Sequence, residues 1–309
     1  MDRFGEGHNR FADTWLASLP VPLPKNYVMG IDLQKWDFER KMWSYLRGQW
    51  QLGGWWYYYL YALAIKVPLG SWILILLAVL LGLFGRGYAA SWRDEVVLLA
   101  PIVVVIALVS SQTGFNHHMR YVLPAFPFAF IWASKVGKVF TLLSAGWPRR
   151  MLGGMVASAL SWSVASSLWI YPHSLSYFNE LVGGPMHGHE HLLDSNIDWG
   201  QDLLYLKRGY DRHPEARPIY LADWNCWNAR IAGIQYVEVS PGLEATQNGS
   251  ENLSEIGPQP GWYALSVNEI HRRDGRYGYF RHFEPVATAG YSIHIYHITP
   301  DEANQVRCW

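Results

Sequence analysis

The pattern of apolar and polar positions splits the chain in two. Between residues 55 and 171 apolar runs follow one another with little between them. Beyond residue 172 short apolar or alternating runs are separated by polar turns. In the first part, residues 55–65 are apolar and aromatic, Lys66 and Pro68 interrupt them, and residues 69–84 carry on. This reads as a broken or interfacial first segment leading into one span, because either piece alone is short against the roughly 20 residues that a span needs. Residues 96–111 predict a second span. Residues 121–133 predict a third, short and kinked by Pro124 and Pro127. Residues 151–170 predict a fourth, whose Ser, Ala and Gly suit close packing of helix on helix. The expectation is a membrane α-helical region of about four spans, followed by a small α/β domain.

That second domain takes shape from residue 171 on. Pro172 stops the last hydrophobic helix, and Gly183, Gly184 and Pro185 mark a tight turn. The DSNIDWGQD run predicts a helix over 198–208, with Asp198 as its cap and Trp199, Leu203 and Leu206 as its apolar face. Residues 218–224, 234–239, 261–267 and 291–298 are rich in β-branched and aromatic side chains and predict strands. Residues 243–260 form a polar loop with Asn-x-Ser sequons at Asn248 and Asn252, a motif that also arises by chance. Residues 1–51 are polar and mixed, with a stiff LPVPLP piece at 19–24 and no apolar run of the signal-peptide kind. The divisions are therefore 1–52 as an outer loop or tail, 53–171 as the transmembrane region and 172–309 as the α/β domain.

Composition sharpens this picture. Residues 55–171 hold only ten Asp, Glu, Lys or Arg, far below the quarter or so of a soluble domain. The 17 Trp and 19 Tyr suit membrane interfaces, where amphipathic rings collect. Lys plus Arg equals Asp plus Glu at 25 each, so no basic excess points to nucleic acid. The loops at 85–95 and 134–150 carry six Lys or Arg. The positive-inside rule puts them in the cytoplasm and the C-terminal domain outside it. Lys35, Arg40, Lys41 and Arg47, close to the first span, pull the other way. Cys226 and Cys308 both fall in the second half, where an oxidising compartment would let them pair or stay apart.

Four groups of residues carry candidate chemistry. Lys66 sits inside an apolar run, where a charge costs roughly 2.5–3.5 kcal/mol on insertion scales, so it either snorkels to the headgroups or meets an anionic partner. Asn116, His117, His118 and Arg120 cluster at a helix end. Arg suits bidentate phosphate recognition and His can share charge or move a proton, while a polar interfacial turn needs neither. Glu180, Asp194, Asn196 and Asp198 form a polar set at the junction, read either as a site or as caps that fasten the domain. The HGHEH run, with His187, His189, Glu190 and His191 and with His173 nearby, raises a divalent metal, although its spacing matches no standard zinc pattern.

The motifs YFNELVGGP (177–185) and LLDSNIDWGQDL (192–203) resemble those of the lipid-carrier-dependent glycosyltransferases of family 39, relatives of the protein O-mannosyltransferases and aminoarabinose transferases. GGWWYYYLYALAIKVP (53–68), RYVLPAFP (120–127), GWYALSVNEI (261–270) and GYSIHIYHI (290–298) add to the resemblance in the same order. It implies a GT-C-like membrane enzyme that moves a sugar from a polyprenyl-phosphate carrier to an acceptor, with the C-terminal domain extracytoplasmic and no cofactor required. It implies Arg120 as a phosphate ligand; the expected topology, which puts Lys66 and Arg120 at one depth of the bilayer, adds Lys66 to that site, with His117 or His118 alongside. The family's catalytic base, an acidic residue of the first outer loop, has no counterpart here, because Asp13, Asp32 and Asp37 are not in that context. The chain therefore resembles the C-terminal part of such an enzyme, whose partners would be the sugar donor, membrane lipid and an N-terminal half. The alternative is a membrane protein that binds the carrier or a partner without the chemistry.

Overall fold

The computed structural model describes residues 14–85, 87–88, 91–224, 227–242 and 257–307. Cys226, Cys308, Asp13 and both sequons lie outside these residues. The polar N-terminal stretch is more ordered than an extended tail. It forms α1 (Lys25–Glu39) and a hairpin of β1 (Trp43–Leu46) and β2 (Gln49–Leu52). Arg47 and Gly48 turn the hairpin with φ of 51° and 80°, as a two-residue turn of matching twist requires. Arg-Gly lacks the Asn-Gly or Asp-Gly signature, so the pattern did not announce a hairpin.

The hydrophobic half begins with α2 (Tyr58–Lys66) and α3 (Leu69–Phe84), bent by 110° at Val67-Pro68. Pro68 has no N–H with which to continue the α2 ladder, and the residue before a proline is pushed to extended backbone; Val67 has ψ 135°. α4 (Trp92–Ser111) starts before the apolar run, because Ser91 Oγ accepts from Asp94 N at 3.3 Å and caps it. Residues 119–142 form one 24-residue rod, partly 3-10, with α5 (Phe126–Ala133) and α6 (Val139–Leu142) inside it. α7 (Trp147–Ile170) ends just before Tyr171-Pro172. α4, the rod and α7 are each long and apolar enough to cross a membrane, and the bent α2–α3 pair adds a fourth candidate. α3 packs against α7 and α5. At the α3–α7 contact a Cβ on Gly70 would lie 2.1 Å from Ala159 O, and Ser71 Oγ meets Ser163 Oγ at 3.1 Å. The small residues of the last span let the two backbones meet there.

The C-terminal half is a mixed five-stranded sheet in the order β4-β3-β5-β7-β6. It consists of β3 (Ile219–Ala222), β4 (Tyr236–Glu238), β5 (Gly261–Ser266), β6 (Ala287–Ala289) and β7 (Ile293–Ile298). β3 pairs in parallel with β4 and β5, while β7 runs antiparallel to β5 and β6. Side chains alternate between two faces, as the pleat demands. Ile219, Leu221, Ala264 and Ile293 pack under α8 (Leu203–Arg212), which contributes Leu203, Leu206 and Tyr210. Ala222, Tyr263, Leu265, Tyr296 and Ile298 face the other way, onto Phe280 and Ala303.

α8 begins at Leu203 and not at Asp198, so the expected cap is a correction. Gly200 has φ 79° and breaks the helical run, Asp198 turns into the domain, and Trp199 is exposed rather than part of an apolar face. The residue before the helix is Asp202, whose carboxylate does not cap α8. It accepts from Ser292 Oγ at 2.8 Å, from Tyr291 N and Ser292 N at 3.2 Å, and pairs with His173 Nδ1 at 2.7 Å. Gly290, with φ 62°, is required beside it, because a Cβ there would sit 2.1 Å from the carboxylate carbon. Asp202 is 0% exposed, so Asp202→Ala strands several donors in the interior. We expect it to cost about 3–5 kcal/mol, read as a lowered melting midpoint of the full chain in detergent, and an unchanged midpoint would refute that role.

Membrane half and sheet share one core. Leu46 of the hairpin, Tyr58, Tyr59, Ala62 and Ile65 of α2, Val109 of α4, Val122, and Phe178, Leu192, Ile197 and Val267 form a single buried cluster. α2 thus buries the face formed by Tyr58, Tyr59, Ala62 and Ile65 at the junction and leaves Leu60 exposed.

Candidate functional site

The bend at Val67-Pro68 leaves carbonyls at the end of α2 without helical donors, and these must find partners. Asn179, from the YFNELVGGP motif, supplies them. Its Nδ2 donates to Ala64 O at 2.7 Å and Val67 O at 2.9 Å, and its backbone N donates to Ile65 O at 2.8 Å. Asn196, from the second motif, is 2% exposed. Its Nδ2 lies within hydrogen-bond reach of Tyr58 Oη (2.9 Å), His117 O (2.6 Å) and Leu193 O (3.0 Å), and its Oδ1 accepts from Met119 N at 3.0 Å. Two buried amides therefore clamp the junction loop onto α2 and onto the turn holding His117, His118 and Arg120.

Between these parts lies an open cavity of about 610 Å³. Lys66, His118, Arg120, Ser195 and Asn196 line one part of it, and Leu123, Phe126, Phe130 and Ile170 continue along the helices. No Asp or Glu belongs to the lining among the described residues. Lys66 does not snorkel. Its Nζ donates to Leu175 O at 2.9 Å and to Asn196 O, and it lies 4.3 Å from the centre of the Phe178 ring. An ammonium has three protons, so one remains for the cavity. The Arg120 guanidinium is exposed, lies 5.8 Å from the Tyr121 ring, and has no hydrogen-bond partner among the described residues.

The two neighbouring histidines part company. His117 turns away from the cavity: its Nε2 meets Trp43 O at 2.7 Å and its Nδ1 lies 3.8 Å from Asp194 Oδ2. His118 stays, with Nδ1 against Ser195 Oγ and its ring near those of Tyr121 and Trp199. Burial pushes the His118 imidazole down to about 4. Arg120 and His117 add to the fall, and Asp194 opposes it. At neutral pH the ring is uncharged.

The junction acids also separate. Glu180 is exposed, accepts from Ser166 Oγ at 3.2 Å and is not part of the cavity wall. Asp194 holds a left-handed backbone, φ 59°, which a short polar side chain tolerates better than most. Its Oδ1 accepts from Ser195 N at 2.6 Å, and its own N donates to Asn268 Oδ1 at 2.8 Å. Asp198 accepts from Gly200 N at 2.9 Å and from Ser266 Oγ. Burial raises its carboxyl to about 6, against the pull of these donors. Asp194 and Asp198 tie the sheet domain to the junction, and only Asn196 of the four reaches the cavity.

The HGHEH side chains scatter. His187 pairs with Glu190 at 3.0 Å on the surface, and His191 Nδ1 meets Tyr61 Oη at 2.5 Å. His189 goes inward, its ring centre 4.9 Å from that of His271 and 5.2 Å from that of His294. Among the described residues no group of three His, Cys, Asp or Glu could hold a metal ion. Sequence reasoning passed over Asn179, Ser195 and Asp202, although all three stand in the motifs quoted above. Their signal was polar residues amid apolar ones in a loop that must satisfy a broken helix. Comparisons of the chain with protein families, with curated proteins and with solved structures found no match.

Proposed function

We propose that the chain is the carrier-binding and outer part of a membrane glycosyltransferase that takes its sugar from a polyprenyl phosphate. The observation that carries this reading is the cavity. Two cations stand at its polar end, and an apolar helix face runs from them along the spans. That arrangement suits a phosphate on an isoprenoid tail, with Arg120 and the free proton of Lys66 offsetting its charge where water is scarce. In the transfer, the acceptor hydroxyl oxygen attacks the anomeric carbon. The bond from that carbon to the phosphate oxygen breaks, and its electron pair leaves with the carrier phosphate. The hydroxyl proton needs a base, and with no carboxylate in the lining we assign that part to His118: in the tautomer whose Nδ1–H donates to Ser195 Oγ, Nε2, which has no partner among the described residues, is the nitrogen that would take the proton. By the positive-inside rule, the helix ends carrying Lys135, Lys138, Arg149 and Arg150 are cytoplasmic, and the cavity and sheet domain are extracytoplasmic and GT-C-like.

A second reading, carrier binding without transfer, is favoured by the lack of a carboxylate in the lining. Phosphorus NMR of the purified full chain with a short-chain polyprenyl-phosphate sugar and an alcohol acceptor separates the two. Transfer converts phosphodiester to monoester, and His118→Gln lowers the turnover by about 10²–10⁴-fold with binding retained. Binding without conversion supports the second reading, and no binding at all overturns both.

A further inference from the structure

The far end of α3 carries a second cavity. α3 has 16 residues, which is about 24 Å of helix. The carrier cavity opens at its first turn, and the other, of about 300 Å³, lies beyond its last. The latter sits between the loop after α3, the first turns of α4 and the end of α5, with Leu98 and Ile131 as apolar walls. One side of it is already satisfied. Glu95 accepts from Lys135 Nζ at 3.0 and 3.1 Å and from Trp132 Nε1 at 2.5 Å, and Lys135 lies 4.0 Å from the Trp132 ring centre. The other side is not. Tyr88 lines the cavity and is 3% exposed, yet its hydroxyl has no hydrogen-bond partner among the described residues. A buried donor left unmade is costly, and a cavity beside it is where a partner would sit. Lys138 Nζ reaches Gly87 O at 3.4 Å and Tyr88 O at 3.3 Å and keeps a proton to give. Asp94 belongs to the same lining; its Oδ2 accepts from Ser91 Oγ at 2.7 Å, and its Oδ1 has no hydrogen-bond partner among the described residues.

We propose that this second cavity is a binding site for the headgroup of an aminophospholipid. The phosphate would take the Tyr88 hydroxyl and the Lys138 ammonium, and the primary amine of the lipid would face Asp94. Leu98 on α4 and Ile131 on α5 would receive the first methylenes of the acyl chains, and the exposed apolar side chains of Val97 and Ile131 continue that path along the helices. Donors for an anion together with a carboxylate for a cation in one lining fit a zwitterion with N–H groups. They fit a purely anionic lipid or a choline headgroup less well, the first having no cation and the second no proton to share. The site rests on the chain's placement in a bilayer and is independent of sugar transfer at the other cavity.

The test is native mass spectrometry of the full chain, delipidated and then titrated with phosphatidylethanolamine, phosphatidylcholine, phosphatidylglycerol or inorganic phosphate. Phosphatidylethanolamine should be retained about tenfold better than the other lipids, and inorganic phosphate should not bind. Tyr88→Phe, which keeps the ring, should weaken phosphatidylethanolamine about tenfold. Lys138→Gln should weaken phosphatidylethanolamine and phosphatidylglycerol alike, whereas Asp94→Asn should erase only the preference between them. Equal retention of all three lipids by the wild type would overturn the proposal. So would a Lys138→Gln and Asp94→Asn pair that leaves the order unchanged, a result readable even if Tyr88→Phe fails to fold. Tight binding of inorganic phosphate alone would mean a simple anion site and would also overturn it.

Discussion

Removing both Lys66 and Arg120 from the 610 Å³ cavity should abolish measurable binding of a short-chain polyprenyl phosphate, and removing either should weaken it tenfold or more. A charge-assisted contact contributes roughly 1.5–3 kcal/mol, and 1.4 kcal/mol is a factor of ten. The two single substitutions should differ in a second respect. The Arg120 guanidinium is exposed and has no hydrogen-bond partner among the described residues, so Arg120→Ala should leave thermal stability within about 0.5 kcal/mol. Lys66 donates to Leu175 O and Asn196 O at the junction, so Lys66→Ala strips one exposed and one part-buried carbonyl of a donor and should also cost about 1 kcal/mol of stability. Because both side chains would touch one phosphate, their effects on binding should not add. Isothermal titration of wild type, both singles and the double checks this. Unchanged affinity in Arg120→Ala would remove the phosphate site. Lost affinity with unchanged stability in Lys66→Ala would mean that the two carbonyls are not held as the geometry has them.

The membrane half was legible because its signal is composition over long runs. Twenty apolar residues in succession have few alternatives to a span, and the Lys66 and Pro68 interruption located a break that proves to be a 110° bend. The strands of the C-terminal domain were legible in the same way, from β-branched and aromatic runs. Local readings failed where a long-range contact outweighs a local one. Asp198 and Gln201 carry a capping pattern, but Asp198 meets Ser266, 68 positions away, and Gln201 Nε2 turns back to Ile197 O at 2.9 Å. His117 and His118 are adjacent and alike in sequence. Only the place of Trp43 O and Ser195 Oγ in space decides which of them reaches the cavity. β6 spans three residues, too short for a period of two to show. In the HGHEH run the histidines share a segment but not a direction, which spacing alone does not convey.

Mild acid should destabilise the fold, with the buried histidines as the main cause. His189, His271 and His294 sit ring to ring where three parts of the molecule meet. Tyr45 Oη of the hairpin donates to His189 O at 3.1 Å, Trp50 Nε1 donates to His271 O at 3.0 Å, and His294 is on β7. His189 Nδ1 and His294 Nε2 are shielded and have no hydrogen-bond partner among the described residues, and His294 is 6% exposed. Burial, followed by the neighbouring rings, holds His189 and His294 at about 4 and His271 at about 3. Arg281 and His187 push in the same direction, and Glu190 pulls back on His189 and His271. All three values lie below the ordinary 6.5 of an unfolded chain. The unfolded state therefore binds more protons below pH 6.5, and stability declines from there until the folded rings themselves titrate near pH 3–4. Between pH 7 and pH 5 the loss is about 2 kcal/mol for each histidine acting alone. The sum is not simple, because the rings are neighbours. Asp198 acts oppositely. Its folded value of about 6 lies above that of an unfolded aspartate, so it gains about 1 kcal/mol over the same range. The net expectation is a melting midpoint several degrees lower at pH 5 than at pH 7. His294→Phe, which fills similar space without a titrating nitrogen, should flatten the slope. A wild-type midpoint that is flat or rising from pH 7 to pH 5 would show that these rings are not buried neutral. An unaltered slope in His294→Phe would place the sensitivity elsewhere.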